Sequence, residues 1–342
     1  MSFAEITEHV VRGKDHTTFH LAAGPVDGPL VIFVHGWPEL SISWRHQLPV
    51  LAGAGFRAIA PDMRGYGRST VHPDPADYAQ EHIVADMLAL LDQLGRDAAV
   101  WVGHDWGSPV VWNIASHHPE RVHGMASLCV PYGTVERGFE PLLELVDRDV
   151  YPIDQYPVGQ WDYLRHYEES FTEACAVMDS DPYAMVSLLF RAGDPSGVGR
   201  PAVTATVRAQ GGWFGGGQPP RVPLDPAVLT EPDALAYAAA LERNGFFGPN
   251  AWYLNHERNA EYAARARNDG RIDLPVLFLG GAFDHVVETV RSRLAEPMRG
   301  LCSDLTEHVV ASGHWMAQEK PAEVNAALLR WIATRVAAAW PR

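Results

Sequence analysis

Through the first 135 residues, short continuously apolar runs alternate with segments whose apolar positions recur at helical spacing. LVIFVHG (30–36), FRAIAPD (56–62), AAVWVGHD (98–105) and GMASLCVP (124–131) are each bounded by Gly, Pro or Asp. Such runs read as strands buried on both faces of a parallel sheet. Between the second and third, EHIVADMLALLDQLG sets Ile83, Met87, Leu90, Leu91 and Leu94 on one helical face, with Gly95 at the C-terminal stop. The alternation predicts a doubly wound α/β core.

The pattern breaks near residue 135. The chain then becomes aromatic and helical, rich in Tyr, Trp and Pro, and QGGWFGGGQPPRVP (210–223) predicts a loop. Strand-like runs resume with LPVLFLGG (274–281) and LTEHVVASGH (305–314), and PAEVNAALLRWIATRV predicts a final amphipathic helix with Pro321 in its first turn. The expected organisation is a core in two parts, residues 1–135 and 271–342, separated by a mainly helical cap or lid over 136–270.

Composition narrows the class. At 342 residues and 37.6 kDa, with 47% hydrophobic and 20% charged residues, the chain has the make-up of a folded enzyme. A net charge of -15 and a pI near 5.4 would repel nucleic acid and anionic membrane surfaces, so small neutral partners fit better. Cys129, Cys175 and Cys302 lie far apart without CxxC spacing, which points to reduced buried thiols rather than to a disulfide framework or a zinc site. The first residues lack the basic-then-apolar order of a signal peptide, and no run approaches the roughly 20 apolar residues of a membrane span. The cytoplasm is the expected location.

The candidate chemistry sits at the strand ends. Gly103-His104-Asp105-Trp106-Gly107 is a small-x-nucleophile-x-small pattern on a strand-to-helix turn, which is too sharp for bulky neighbours and exposes its apex residue at the carboxyl edge of the sheet. Asp105 is therefore the candidate nucleophile, helped by the N-terminal N–H groups of the next helix. The competing reading makes it only a cap for that helix. A triad on such a sheet needs an acid and then a histidine in chain order. Asp284 follows LPVLFLGG, and His314 follows LTEHVVASG. His285 competes with His314, but neighbouring side chains on an extended segment point opposite ways. His117, His118 and His166 read as solvated. The loop His35-Gly36-Trp37-Pro38-Glu39 follows the first buried strand, where the second oxyanion-hole amide belongs, so the backbone N–H groups of Trp37 and Trp106 are the candidate donors. His35 reads as a brace for that loop, and Trp37-Pro38 is a candidate cis peptide.

Taken in order, HGWPE, APDMRGYGRS (60–69), GHDWG, the late Asp284 and GHWMAQEKP resemble the α/β-hydrolase-fold epoxide hydrolases. The resemblance covers about residues 15–135 and 270–335. It implies two cap tyrosines: QWDYLRHY is similar to the first cap site at Tyr163, with Tyr167 one turn away as an alternative, and GPNAWYLN is similar to the second at Tyr253. There the family's usual Asn-Trp-Tyr-Arg is replaced, with Ala251 before Trp252 and Leu254 after Tyr253. Trp213 and Phe214 either line the pocket or pack.

The choice of aspartate has a chemical reason. A serine attacking saturated carbon would leave a stable ether, whereas a carboxylate leaves an ester that water can cleave. His314 is then the expected base on that water, oriented by Asp284. The expected activity is hydrolysis of an epoxide to a vicinal diol, with epoxide and water as the small-molecule partners and with no cofactor or metal. A haloalkane dehalogenase would use the same aspartate, but halide leaves without a tyrosine acid, and the Asn that one dehalogenase branch carries at the position of Trp37 is missing. A non-catalytic ligand receptor on the same fold is the remaining alternative.

Overall fold

The computed structural model describes residues 5–341. Its eight strands are β1 (Thr7–Arg12), β2 (Thr17–Ala23), β3 (Leu30–Val34), β4 (Arg57–Pro61), β5 (Ala99–His104), β6 (Val122–Leu128), β7 (Ile272–Gly281) and β8 (Cys302–Val310). They form one sheet in the order β1-β2-β4-β3-β5-β6-β7-β8. β2 runs antiparallel to both β1 and β4, and every other pairing is parallel. This is the mostly parallel sheet expected from the alternating pattern, in the α/β-hydrolase arrangement that the resemblance implies. The two leading strands carry no apolar run: β1, TEHVVR, is exposed at almost every position. β8 begins at Cys302 and ends at Val310, earlier at both ends than the apolar pattern suggested, so His314 lies on a loop past the strand.

Helices of eight or more residues are α1 (Gln80–Gln93), α2 (Gly107–His117), α3 (Asp162–Asp179), α4 (Pro182–Leu189), α5 (Glu231–Asn244), α6 (His256–Ala263) and α7 (Pro321–Arg335). α1 buries Ile83, Met87, Leu90 and Leu91 as its spacing requires, and Gly95 just beyond it takes φ +67. α2 is buried along its whole length and packs on β5 and β6. It can approach so closely because its start is glycine: a Cβ on Gly107 would collide with the Val34 carbonyl, and one on Gly103 would collide with Gly107.

Four of these helices, α3 to α6, lie in the excursion between β6 and β7. α5 starts with a capping box in which Thr230 and Asp233 satisfy each other's backbone N–H groups. Residues 210–223 contain no helix or strand, as their glycines and prolines predict. The apolar core is continuous from the sheet into this excursion, through Trp37, Trp106, Tyr167, Phe246, Trp252 and Tyr253. Among the described residues no helix is long and apolar enough to cross a membrane.

Candidate active site

β5 ends at His104, and Asp105 follows with φ +49, a left-handed conformation uncommon for a residue with a Cβ. The strain lifts the carboxylate off the sheet's edge. Its side chain does not cap α2. Instead Oδ1 accepts the Trp37 N–H at 2.6 Å. The Trp106 nitrogen faces the same recess, since a Cβ on Gly36 would run into both Asp105 Oδ1 and that nitrogen. Trp37 is held in turn by its indole N–H, which donates to Asn250 Oδ1 at 2.9 Å, and the Trp37–Pro38 peptide is cis.

The other oxygen of Asp105 faces histidine. Oδ2 lies 3.4 Å from His314 Nε2, while His314 Nδ1 lies 2.6 Å from Asp284 Oδ2. Asp284 Oδ1 accepts the N–H groups of Val286 and Val287, which fix the carboxylate. Burial pushes the Asp284 carboxyl up, but the facing His314 and these donors hold it down at about 2. For His314 burial works the other way, but the Asp284 charge, then the Cys129 sulfur and the hydrogen bonds to Asp105 and Asp284, raise it well above the usual imidazole value. His285 turns away, with Nε2 on the Asp194 carbonyl at 2.8 Å.

A cavity opens onto Asp105 and is lined by Trp106, Trp161, Tyr163, Val287 and Leu294 among others. Tyr163 comes from the first turn of α3, and Tyr253 stands edge-on to the Trp106 ring at 5.1 Å. The two tyrosine rings are 5.8 Å apart. Burial, followed by the Asp105 charge, raises both phenols above the usual value, so both keep their protons at neutral pH. Tyr167 stacks on Tyr253 at 4.7 Å, yet its hydroxyl points to Met178 Sδ at 3.9 Å. Tyr163, not Tyr167, shares the cavity with Asp105. Trp213 packs on Tyr163 and Tyr167, and with Phe214 it lines a second cavity beside His166 rather than the one at Asp105.

Two expectations about histidine are corrected. His117 and His166 are buried, not solvated: His117 lies flat on the Tyr262 ring at 4.0 Å, and His166 is covered by the glycine-rich loop. Ring stacking and loop cover exclude water that spacing alone cannot rule out. His35 braces its loop as expected, accepting the Met63 N–H on Nε2 and donating from Nδ1 to the Gly36 carbonyl.

A second carboxylate–imidazole pair lies behind the first, and sequence reasoning missed it. Glu39 Oε2 is 2.6 Å from His104 Nδ1, both side chains are 2% exposed, and His104 Nε2 lies 2.8 Å from the His314 carbonyl. A carbonyl only accepts, so Nε2 carries a proton, and the carboxylate takes the proton on Nδ1. His104 is thus an imidazolium. Burial opposes charge on both partners, yet their mutual attraction raises His104 and holds Glu39 at about 2. His104, Cys129 and His314 bring ligand-type atoms within 4.8 Å of one another. The doubly protonated His104 has no lone pair for a metal, so the cluster reads as a hydrogen-bond network. The signal was present in the sequence only as a histidine preceding Asp105 and a glutamate closing the HGWPE loop.

A profile of the alpha/beta hydrolase fold family matches residues 29–321. The chain is 35% identical to "Bifunctional epoxide hydrolase 2" of Sus scrofa over 90% of its own length, while spanning only 52% of that relative. It is 34% identical to "Epoxide hydrolase A" of Mycobacterium tuberculosis, over 91% of this chain and 92% of that one. The crystal structure of epoxide hydrolase A from Mycobacterium thermoresistibile superimposes with a TM-score of 0.78 at 33% identity, covering 96% of this chain and 99% of the other. Matched over nearly the full length of these last two, and carrying their fold from β1 to the final helix, the chain belongs to the epoxide hydrolases of the α/β-hydrolase-fold family.

Proposed function

We propose that the protein hydrolyses an epoxide to a vicinal diol through an ester on Asp105, and that residues 136–270 form the cap that closes over the reacting atoms. The observation that carries this reading is the division of labour on one carboxylate. Oδ1 already sits on the Trp37 N–H, while Oδ2, the attacking oxygen, lies 3.4 Å from His314 Nε2. Oδ2 displaces the epoxide oxygen from carbon, and the Tyr163 and Tyr253 hydroxyls hydrogen-bond the developing alkoxide, one of them giving it a proton. Phenols kept protonated by burial suit that task. A water then attacks the ester carbonyl, giving its proton to His314 as the hydroxyl adds. The Trp37 and Trp106 amides hold the tetrahedral oxyanion that forms on Oδ1. Collapse breaks the bond from Cγ to the diol oxygen, which takes the proton back from His314; the proton left on the Asp105 carboxyl replaces the one given to the first-step alkoxide, and the carboxylate is regenerated.

The lining supports an uncharged substrate, because Asp105 is the only ionisable carboxylate among the residues facing the cavity. A cytoplasmic setting belongs to the same proposal, supported by three free, buried thiols at Cys129, Cys175 and Cys302. The decisive experiment is a single turnover in heavy-oxygen water. Label should enter Asp105 and not the first diol released; label in that diol would mean direct attack of water on the epoxide.

A further inference from the structure

The residue just past β6 makes a contact that the mechanism above does not use. Cys129 is fully buried, takes φ +71, and its thiol lies 3.1 Å from the backbone carbonyl of His314. A left-handed conformation at a non-glycine residue costs about 1–2 kcal/mol, so something must hold it there. Its own N–H donates to the Leu279 carbonyl of β7 at 2.9 Å, which ties the end of β6 to the strand that leads to Asp284. From this one point the side chain reaches the His314 backbone and neighbours both the Asp284 carboxylate and the His104 ring. Since the His314 carbonyl can only accept, the S–H must donate. That oxygen therefore takes two donors, the His104 Nε2–H and the Cys129 S–H.

We propose that Cys129 is a positioning residue for ester hydrolysis: its thiol pins the His314 backbone so that Nδ1 stays on Asp284 while Nε2 addresses the water. The proposal rests on the covalent reading of Asp105. Ring-opening by Asp105 does not require the His314 base, so the thiol acts on the second step and leaves the first alone. A packing role would weaken both steps together, since the core it fills supports the whole site.

The test uses the full chain with styrene oxide as probe, quenched within a single turnover, with the ester on Asp105 followed by mass spectrometry. Cys129→Ala should form the ester within about twofold of the wild-type rate and hydrolyse it about tenfold more slowly, the worth of one modest hydrogen bond. Its hydrolysis should also show a shifted pH profile. Cys129→Ser restores a donor on a shorter bond and should recover to within about threefold. The proposal is overturned if Cys129→Ala hydrolyses the ester at the wild-type rate with an unshifted profile. It is equally overturned if both variants slow both steps in proportion to lost melting temperature. Absence of any ester in the wild-type protein would instead remove the covalent reading of Asp105.

Discussion

Asp284 Oδ2 lies 2.6 Å from His314 Nδ1, with the carboxylate 1% exposed and the imidazole 22% exposed. An ionised carboxylate accepts only, so the pair fixes the proton on Nδ1 and leaves the Nε2 lone pair for water whenever His314 is neutral. In Asp284→Asn an amide N–H can face Nδ1 and reverse the tautomer. Ester hydrolysis should then fall by about 10³-fold or more, as for the comparable change in serine hydrolases, while ester formation persists. Rapid-quench mass spectrometry should show the adduct accumulating on Asp105.

The same pair sets a pH dependence. His314 is buried, but the Asp284 charge, the Cys129 sulfur and the hydrogen bonds to Asp105 and Asp284 raise it well above the usual imidazole value, so the resting enzyme holds an imidazolium. Esterification neutralises Asp105 and removes the hydrogen bond that its carboxylate accepts from His314, which lowers the pKa and frees the base when it is needed. The single-turnover rate of ester hydrolysis should rise with pH to a plateau, with an apparent pKa below that of His314 in the free enzyme followed by NMR. A pKa unchanged between the two states would contradict the coupling.

Tyr163 lines the cavity at Asp105 and Tyr253 packs against both Tyr163 and Trp106, whereas the Tyr167 hydroxyl leans on Met178. Tyr163→Phe and Tyr253→Phe should each slow ester formation by about 10-fold or more, within the range of a lost general acid, and Tyr167→Phe should change it by less than about threefold. Stopped-flow measurement of the first step separates these outcomes.

Gly36 leaves the space in which Asp105 Oδ1 meets the Trp37 amide, and any Cβ there would collide with both Asp105 and the Trp106 nitrogen. Gly36→Ala should keep the fold by circular dichroism and lose about 10²-fold in turnover, the usual cost of a spoiled oxyanion donor. Normal turnover in this variant would take the recess out of the mechanism.

Glu39 and His104 form a buried ion pair, and removing one partner strands the other. Glu39→Gln should therefore destabilise the protein at pH 7 by about 3 kcal/mol, measured by urea unfolding. The sign with pH follows from Glu39. Its folded value of about 2 lies below the ordinary 4.5, so its contribution is present above pH 4.5 and is lost as pH falls toward 2. His104, being raised, contributes below 6.5 and loses that contribution only as pH climbs through its higher folded value. Between pH 4.5 and 2 the variant's stability should therefore fall less steeply than the wild type's.

Local sequence determined a good deal of this protein. Continuous apolar runs marked β3 through β7, because strands buried on both faces cannot tolerate polar positions. Gly103 and Gly107 marked the turn at Asp105, because backbone approaches there leave no room for a Cβ. Chain order then nominated Asp284 and His314 on the loops past β7 and β8. β1 and β2 left no such mark: β1 lies at the sheet's edge and faces solvent, where apolar residues are not required.

Only the tertiary structure decided which side chains meet. Tyr163 and Tyr167 share a face of α3 and look interchangeable in the sequence, but the packing of Met178 takes one hydroxyl and the cavity takes the other. Glu39 and His104 are 65 residues apart and pair because β3 and β5 are neighbours in the sheet. Cys129 reaches His314 across 185 residues for the same kind of reason, since β6, β7 and β8 end side by side. Periodicity and turn chemistry are written locally, within a few residues of each position, whereas hydrogen bonds between strand ends depend on strand order, which the whole chain settles by burying its core.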